Sequence, residues 1–389
     1  MVQPLAAGIV AGITGFASSF ALVIAGLHAV GASDAEASSG LLALCFAVAI
    51  LCIVLARVFR MPISFAWSTP GAALLIAASA TTNNFSAAVG AFVVCGLLIV
   101  LCGLWPALGR AITRIPKSIA SAMLAGILFP ICLAPVLAVT QIPALAVPVV
   151  VVWLVLFRLA PRWAVPAAML VAAIGIGVSA GTGWLSAAST SLVPAFVFVP
   201  PTFDAFVIVS LGLPLFIVTM AGQNVPGFVV MSTFGYEVPP RPVLVASGAA
   251  TAVGALFGGH AVNLAAITAA IMAGPDSHPD RSRRWVATFA SGFVYIAFGL
   301  GAGFAVALIS ASPPILITAV AGLALLGALV GAITSSLEDA TQRIPAVATF
   351  LVTASGIVVA GVGSAFWGLL TGGLLLLVAG LPGPRRPRP

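Results

Sequence analysis

FGGHAVNLAAITAAI, residues Phe257–Ile271, is the stretch whose reading decides the fold. It lies deep in an apolar sequence, yet it opens on two glycines, a histidine and an asparagine, and reads as a plain helix only after Asn263. Its counterpart is FAWSTPGAALLI, Phe65–Ile76, again an irregular polar lead-in before a short helix. Non-helical backbone at membrane depth persists only where it is buried in protein or lines a wet cavity. Two such breaks therefore point to a polytopic membrane protein with a site between them.

The surroundings agree. The 389 residues are 62% hydrophobic and only 6% charged, with a mean hydropathy of +1.25. A soluble domain carries about a quarter charged residues. The apolar runs last about 20 residues, the length that spans a bilayer as helix, and they lack the short alternation of a β-barrel. The first run, Leu5–Val30, is too long for a cleavable leader and has no basic lead. Cys45, Cys52, Cys95, Cys102 and Cys132 all fall inside apolar runs, without metal-site company. They read as small packing residues, and neither metal nor cofactor is expected.

The class is thus all-α and polytopic, with fourteen membrane segments. Helices are expected at 4–30, 36–57, 85–108, 117–139, 142–158, 163–180, 204–231, 241–256, 285–310, 313–334, 344–361 and 364–380. The broken segments, 62–80 and 257–274, are third and tenth in order, and 181–203 is an external connector. With this count all 15 Lys and Arg fall on one side, from Arg57 and Arg60 through Arg110, Arg114 and Lys117 to Arg385, Arg386 and Arg388. The opposite loops carry Asp34, Glu36 and Asp204. Positive loops stay in the cytoplasm, so both termini are expected there. The net charge of +7 is then topology rather than a nucleic-acid signal.

An internal repeat shows through. TQIPALA (140–146) recurs as TQRIPAVA (341–348), and IASAMLAGIL (119–128) resembles ILITAVAGLA (315–324). The offset spans seven segments, an odd number, so the second half is inverted. The first repeat is 1–180 and the second 204–389. Inverted halves, each with a broken helix at the same place, are the pattern of secondary transporters whose site lies at the repeat interface.

The site residues follow from that pattern. A half-helix beginning near Asn263 presents free N–H groups and a positive dipole end, and Asn263 is a suitable cap. In segment 3, Ser68 or Thr69 caps and Pro70 fits the first turn. Two facing helix N-termini bind an anion without a buried cation, and no basic or acidic side chain falls mid-membrane. His260 is the histidine inside a predicted span and takes a substrate or proton role; His28 is read as interfacial. MAGQNVPGF (220–228) breaks the eighth span at Pro226 and offers the amides Gln223 and Asn224. Phe65, Trp67 and Phe16 supply an apolar wall.

SFAWSTPGAALL (64–75), MAGQNVPGF (220–228), GGHAVNLAAITAAI (258–271) and PDSHPDRSRRW (275–285) resemble the bacterial benzoate–proton symporter family along essentially the whole chain. The layout is similar to that of the nucleobase–cation symporters and sulfate-type anion carriers. The resemblance implies a core domain (1–110 and 204–310) moving against a gate domain (111–203 and 311–384), with a homodimer through the gate. It implies short strands at Phe65–Ser68 and Gly259–Val262. The nucleobase carriers' acidic ligands fall at Gln223 and near Val262 here, which suits a carboxylate substrate and leaves His260 or the substrate's own carboxyl to carry the proton.

The expectation is a secondary transporter, not an enzyme, in the bacterial inner membrane. It imports benzoate or a similar aromatic carboxylate with a proton by alternating access. Phe65, Trp67, Ser68, Thr69, Pro70, Gly71, Gln223, Asn224, Gly259, His260, Val262 and Asn263 form the substrate site. An uncoupled anion carrier or channel, or a nucleobase–proton symporter, is the alternative. No H-E-x-x-H, G-x-S-x-G or P-loop motif suggests an enzyme or a primary pump.

Overall fold

The computed structural model describes residues 2–105, 107, 116–180, 192–265 and 267–380. Arg110, Arg114, residues 181–191 of the connector and the basic C-terminus at Arg385, Arg386 and Arg388 lie outside the described residues.

The first half contains α1 (Val2–Ala17), α2 (Phe20–Ala29), α3 (Asp34–Phe59), β1 (Phe65–Trp67), α4 (Thr69–Ala77), α5 (Phe85–Leu104), α6 (Lys117–Gln141), α7 (Pro143–Leu159) and α8 (Pro161–Ala180). The second contains the long interrupted helix α9 (Ala205–Thr233), then α10 (Pro240–Ala255), β2 (Val262–Leu264), α11 (Ile267–Ala273), α12 (Trp285–Leu300), α13 (Ala302–Ser310), α14 (Pro314–Leu337), α15 (Arg343–Ala354), β3 (Val358–Val359), β4 (Val362–Gly363) and α16 (Ser364–Gly380).

Among the described residues six of these are long and apolar enough to cross a membrane: Val2–Ala29 taken as one, α3, α5, α6, α9 and α14. A seventh is the pair Arg281–Leu300 and Ala302–Ser310, bent by 53°. Four shorter apolar helices, Thr69–Ala80, Pro143–Leu159, Trp163–Ser179 and Ser364–Val378, fall below that length.

Local chemistry sets the breaks. A capping box opens α3: Ser33 accepts the Glu36 N–H, and the Glu36 carboxylate accepts the Ser33 N–H. In α9, π-turns at Ile208–Gly212 and Met220–Asn224 each precede a proline, Pro214 and Pro226. Proline cannot donate to the carbonyl four residues back and its ring crowds it, so the turn widens by a residue. Three expected helices run differently. The first breaks at Ser18–Ser19. The eleventh breaks at Gly301. The thirteenth stops at Ala354 and is followed by the β3–β4 hairpin, whose turn residues Ala360 and Gly361 both have positive φ, as a tight hairpin turn requires.

Small residues bring helices close, as membrane packing favours. Gly96 of α5 and Gly248 of α10 face each other so tightly that a Cβ on Gly248 would lie 2.7 Å from the Gly96 carbonyl oxygen. At the centre β1 pairs antiparallel with β2, Phe65 opposite Leu264, Ala66 opposite Asn263 and Trp67 opposite Val262. Trp67, Phe65 and Phe92 are the largest wholly buried side chains. The two broken segments thus meet in the core as a two-stranded ribbon.

Candidate functional site

Segment 3 follows its sequence. Ser68, wholly buried, is the N-cap of α4, and its Oγ accepts the Gly71 N–H at 3.1 Å. The Thr219 hydroxyl sits 3.1 Å from the same oxygen. The Ser68 carbonyl accepts the first helical bond from Ala72 and a second from His260 Nε2–H at 3.0 Å. A carbonyl only accepts, so the His260 hydrogen sits on Nε2 and Nδ1 faces the interior without a partner.

Segment 10 departs from expectation. Gly258 and Gly259 close α10. Gly258 takes φ +86°, and the Gly258 and Gly259 N–H groups return to the carbonyls of Ala255 and Gly254, an αL-type helix ending. The strand is therefore Val262–Leu264 rather than Gly259–Val262, and Asn263 sits inside it instead of capping a helix. The Asn263 Nδ2–H donates to the Leu264 carbonyl at 2.7 Å, while its Oδ1 is buried without a partner. Two side chains hold the strand from outside: Thr251 Oγ1 accepts the Val262 N–H at 3.0 Å and Asn224 Oδ1 accepts the Leu264 N–H at 2.9 Å.

Beside this ribbon lies a cavity of about 260 Å³. Of the expected residues it brings together Trp67, Thr69, Pro70 and Gln223. Phe65, Ser68, Gly71, Asn224, Gly259, His260, Val262 and Asn263 are not among its lining residues; they form the frame behind it. The reason is the strand register and the cap: Phe65 and Val262 turn apolar side chains into the core, and Ser68, Asn224, His260 and Asn263 spend polar groups on backbone.

Sequence reasoning missed the opposite walls. Thr14, Gly15, Ser18 and Ser19 line the cavity from the α1–α2 break, and Ala324, Leu325, Gly327 and Ala328 from the middle of α14. Ala265 and Thr268 close it at segment 10. The cluster TGFASS at 14–19 was the available signal, since a run of small polar residues interrupts an otherwise apolar span. Trp67 spans the corner: its Nε1–H donates to Ser19 Oγ at 2.9 Å, and its ring packs edge-on to Phe16 and Tyr295, each with centroids 5.7 Å away.

The electrostatics are those of a neutral, amphipathic pocket. No Asp, Glu, His, Lys or Arg is among its described lining residues. The Gln223 amide lines it without a hydrogen bond to another described residue. The helix-end donors are fewer than expected. Pro70 has no N–H, Gly71 is satisfied by Ser68, and Ala72 bonds the Ser68 carbonyl, which leaves Thr69 with its N–H and hydroxyl. An anion here meets amide and hydroxyl donors, with the N-terminus of α4 at Thr69 and that of α11 at Thr268 bordering the cavity.

Comparison with known proteins fits this architecture. The family described as benzoate membrane transport protein matches residues 1–378. The chain is 39% identical over 380 residues to Inner membrane protein YdcO of Escherichia coli (strain K12), covering 97% of this chain and 96% of that protein. It is 33% identical over 337 residues to the Benzoate membrane transport protein of Acinetobacter baylyi (strain ATCC 33305 / BD413 / ADP1), covering 86% and 84%. Its fold resembles the transmembrane domain of a cyanobacterium bicarbonate transporter, BicA, with TM-score 0.55, 16% identity and coverage of 96% and 98%. That likeness lies on the anion-carrier side of the expected layout and lends no support to the nucleobase–cation symporter fold. The chain belongs to the benzoate membrane transport protein family, a family of membrane transporters rather than enzymes.

Proposed function

We propose that this chain imports benzoate, or a similar aromatic carboxylate, together with a proton across the bacterial inner membrane, as a secondary transporter working by alternating access. One observation carries the reading: a neutral cavity with an aromatic corner at Trp67 and a Gln223 amide that makes no hydrogen bond to another described residue. The carboxylate takes donors from Gln223, Thr69 and Thr268, and the ring lies against Trp67 and Leu325. Ser68, Gly71, Asn224, Gly259, His260, Val262, Asn263 and Phe65 keep those groups in place. Buried carboxylates would repel such a substrate, and none is among the described lining residues.

The architecture we infer has fourteen crossings in two inverted repeats, 1–180 and 204–389. The core domain (1–110 and 204–310) moves against the gate domain (111–203 and 311–384), and the protein dimerises through the gate. Both termini face the cytoplasm. The antiparallel pairing of β1 with β2, from segments of the same ordinal place, supports this. So does the position of the cavity, with α14 on one side and α1, β1, α4 and α9 on the other. The proton rides on the substrate's own carboxyl group or passes through His260; the absence of a titratable side chain from the described lining favours the first.

The test is uptake into proteoliposomes. Labelled benzoate accumulates when the outside is acidic, unlabelled benzoate competes, uracil does not, and a protonophore abolishes accumulation. Uptake that equilibrates but never accumulates would leave an uncoupled anion carrier, and no benzoate uptake would sink the proposal.

A further inference from the structure

A second cavity, of about 520 Å³, lies at the end of α2. Its walls include His28, Asp34, Ile76, Ser310, Pro314 and Thr318. It shares the helices that flank the substrate cavity. Ala25 follows Ser18, and Leu325 follows Thr318, by two helical turns, roughly 10 Å. It therefore lies along the same seam, toward the side whose loops hold Asp34, Glu36 and Asp204.

The polar groups in it are arranged unusually. His28 Nδ1–H donates to the Ala32 carbonyl at 2.9 Å, which fixes the hydrogen of a neutral ring on Nδ1. Nε2 is left buried, without a hydrogen bond, 3.5 Å from Asp34 Oδ1. The same Asp34 oxygen accepts the Ser310 hydroxyl at 2.8 Å, which holds the carboxylate in place. A neutral His28 thus aims a lone pair at a carboxylate, and a protonated His28 aims an N–H at it. His28 and Asp34 are the titratable groups among the described lining residues. Glu36, nearby on α3, is turned to Ser33, whose N–H and hydroxyl it accepts at 2.8 and 2.7 Å. The residues that α4, α13 and α14 contribute to the lining are uncharged.

We propose that this cavity is an entry subsite for a monocarboxylate, opened by protonation of His28. With His28 neutral the mouth carries the single negative charge of Asp34 and repels an anion. With His28 protonated the pair is neutral, and the apolar wall of Ala25, Ile76, Ile309 and Ile317 accepts an aromatic ring. Protonation from outside thus admits the substrate that the gradient then drives inward. This rests on the transport reading and on the proposed orientation.

The experiment is exchange of labelled for unlabelled benzoate in oriented proteoliposomes, at equal pH on both sides, with KM for external benzoate measured at about pH 5.5 and about pH 8. Ratios of variant to wild type cancel every other pH effect. His28→Gln is expected to match wild type at the higher pH and to raise KM roughly three- to tenfold at the lower, the size of one ion pair in a wet cavity. Asp34→Asn is expected to lower KM by a similar factor at both, because the mouth gains one unit of positive charge at each pH. The double variant, neutral at both, matches Asp34→Asn at the higher pH and wild type at the lower. A His28→Gln ratio that is flat with pH, or an Asp34→Asn KM raised at both, overturns the proposal. Ser310→Ala loosens Asp34 without changing charge and keeps the pH-dependent KM of wild type; loss of that dependence marks the pair as a structural clamp and also overturns it. Absence of exchange in wild type defeats the transport reading first, whereas exchange with a flat His28→Gln ratio defeats the subsite alone.

Discussion

The two broken segments solve one problem by different means. Segment 3 interrupts a span with side chains: Ser68 caps α4, Pro70 starts it, and the strand runs straight into the cap. Segment 10 interrupts a span with backbone: Gly258 turns left-handed to end α10, and the strand follows at Val262–Leu264, held by Thr251 of α10 and by Asn224 of α9, 40 residues from its partner. A helix start is specified by local side chains, whereas a strand held from outside depends on residues far away in sequence. The first segment therefore carries its own instructions and the second borrows them.

The largest expected effect lies on the self-contained side. Trp67→Ala empties a fully buried site and removes the bond to Ser19 and the edge-on contacts with Phe16 and Tyr295. Burial of this size is worth roughly 3–5 kcal/mol, so the purified variant should unfold many degrees earlier in a thermal scan and transport no benzoate. Normal stability with normal uptake would mean that the corner is not the keystone of segment 3.

His260 links the segments and is the next largest test. His260→Ala takes one donor from the Ser68 carbonyl and empties the space behind the cap, a loss of about 1–3 kcal/mol with weakened uptake. His260→Gln keeps an N–H donor and is expected to recover stability, uptake and the proton-to-benzoate ratio. Should Gln restore stability and exchange but not accumulation against a gradient, His260 carries the proton and not merely the cap.

How far the sequence reaches can be judged residue by residue. Ser68 and Pro70 were legible because N-capping is local, and the breaks at Pro226 and at the glycine pair were legible as breaks. The direction of a glycine break was not: Gly258 and Gly259 suit either the end of α10 or the start of a strand, and the Glu36 carbonyl and Gly40 packed against Gly258 decide. Nor was the wall at Ser18–Ser19, because a short polar kink leaves the hydropathy of a 28-residue span high. The hairpin after α15 was hidden in the apolar run Ile357–Val359, which periodicity cannot assign to strand or helix.

A third test addresses that glycine directly. Gly258→Ala forces a side chain into φ +86° and puts its Cβ 3.0 Å from the Glu36 carbonyl oxygen, for a cost of about 1–2 kcal/mol. Gly259→Ala has no positive φ to maintain, though its Cβ meets the Gly254 carbonyl at 3.1 Å. The order of thermal stability should be wild type, Gly259→Ala, Gly258→Ala. Reversal would show that close approach, not handedness, fixes the end of α10.

The smallest effect is the sharpest comparison, because Ser68 and Asn263 are both residues that cap helices well, yet only Ser68 does so here. Ser68→Ala removes an acceptor from the Gly71 N–H inside the protein and a partner from Thr219, and should cost about 1 kcal/mol. Asn263→Ala removes a bond to the Leu264 carbonyl but also an oxygen that is buried without a donor. Deleting an unsatisfied group offsets the lost bond, so stability should move by no more than about 0.5 kcal/mol. The informative quantity is then the KM for benzoate in the Asn263 variant. An unchanged KM keeps Asn263 in the frame behind the cavity. A raised KM at unchanged stability would mean that its free Oδ1, opposite cavity-lining Ala66 in the strand pair, meets the substrate or a water bound with it when the core moves.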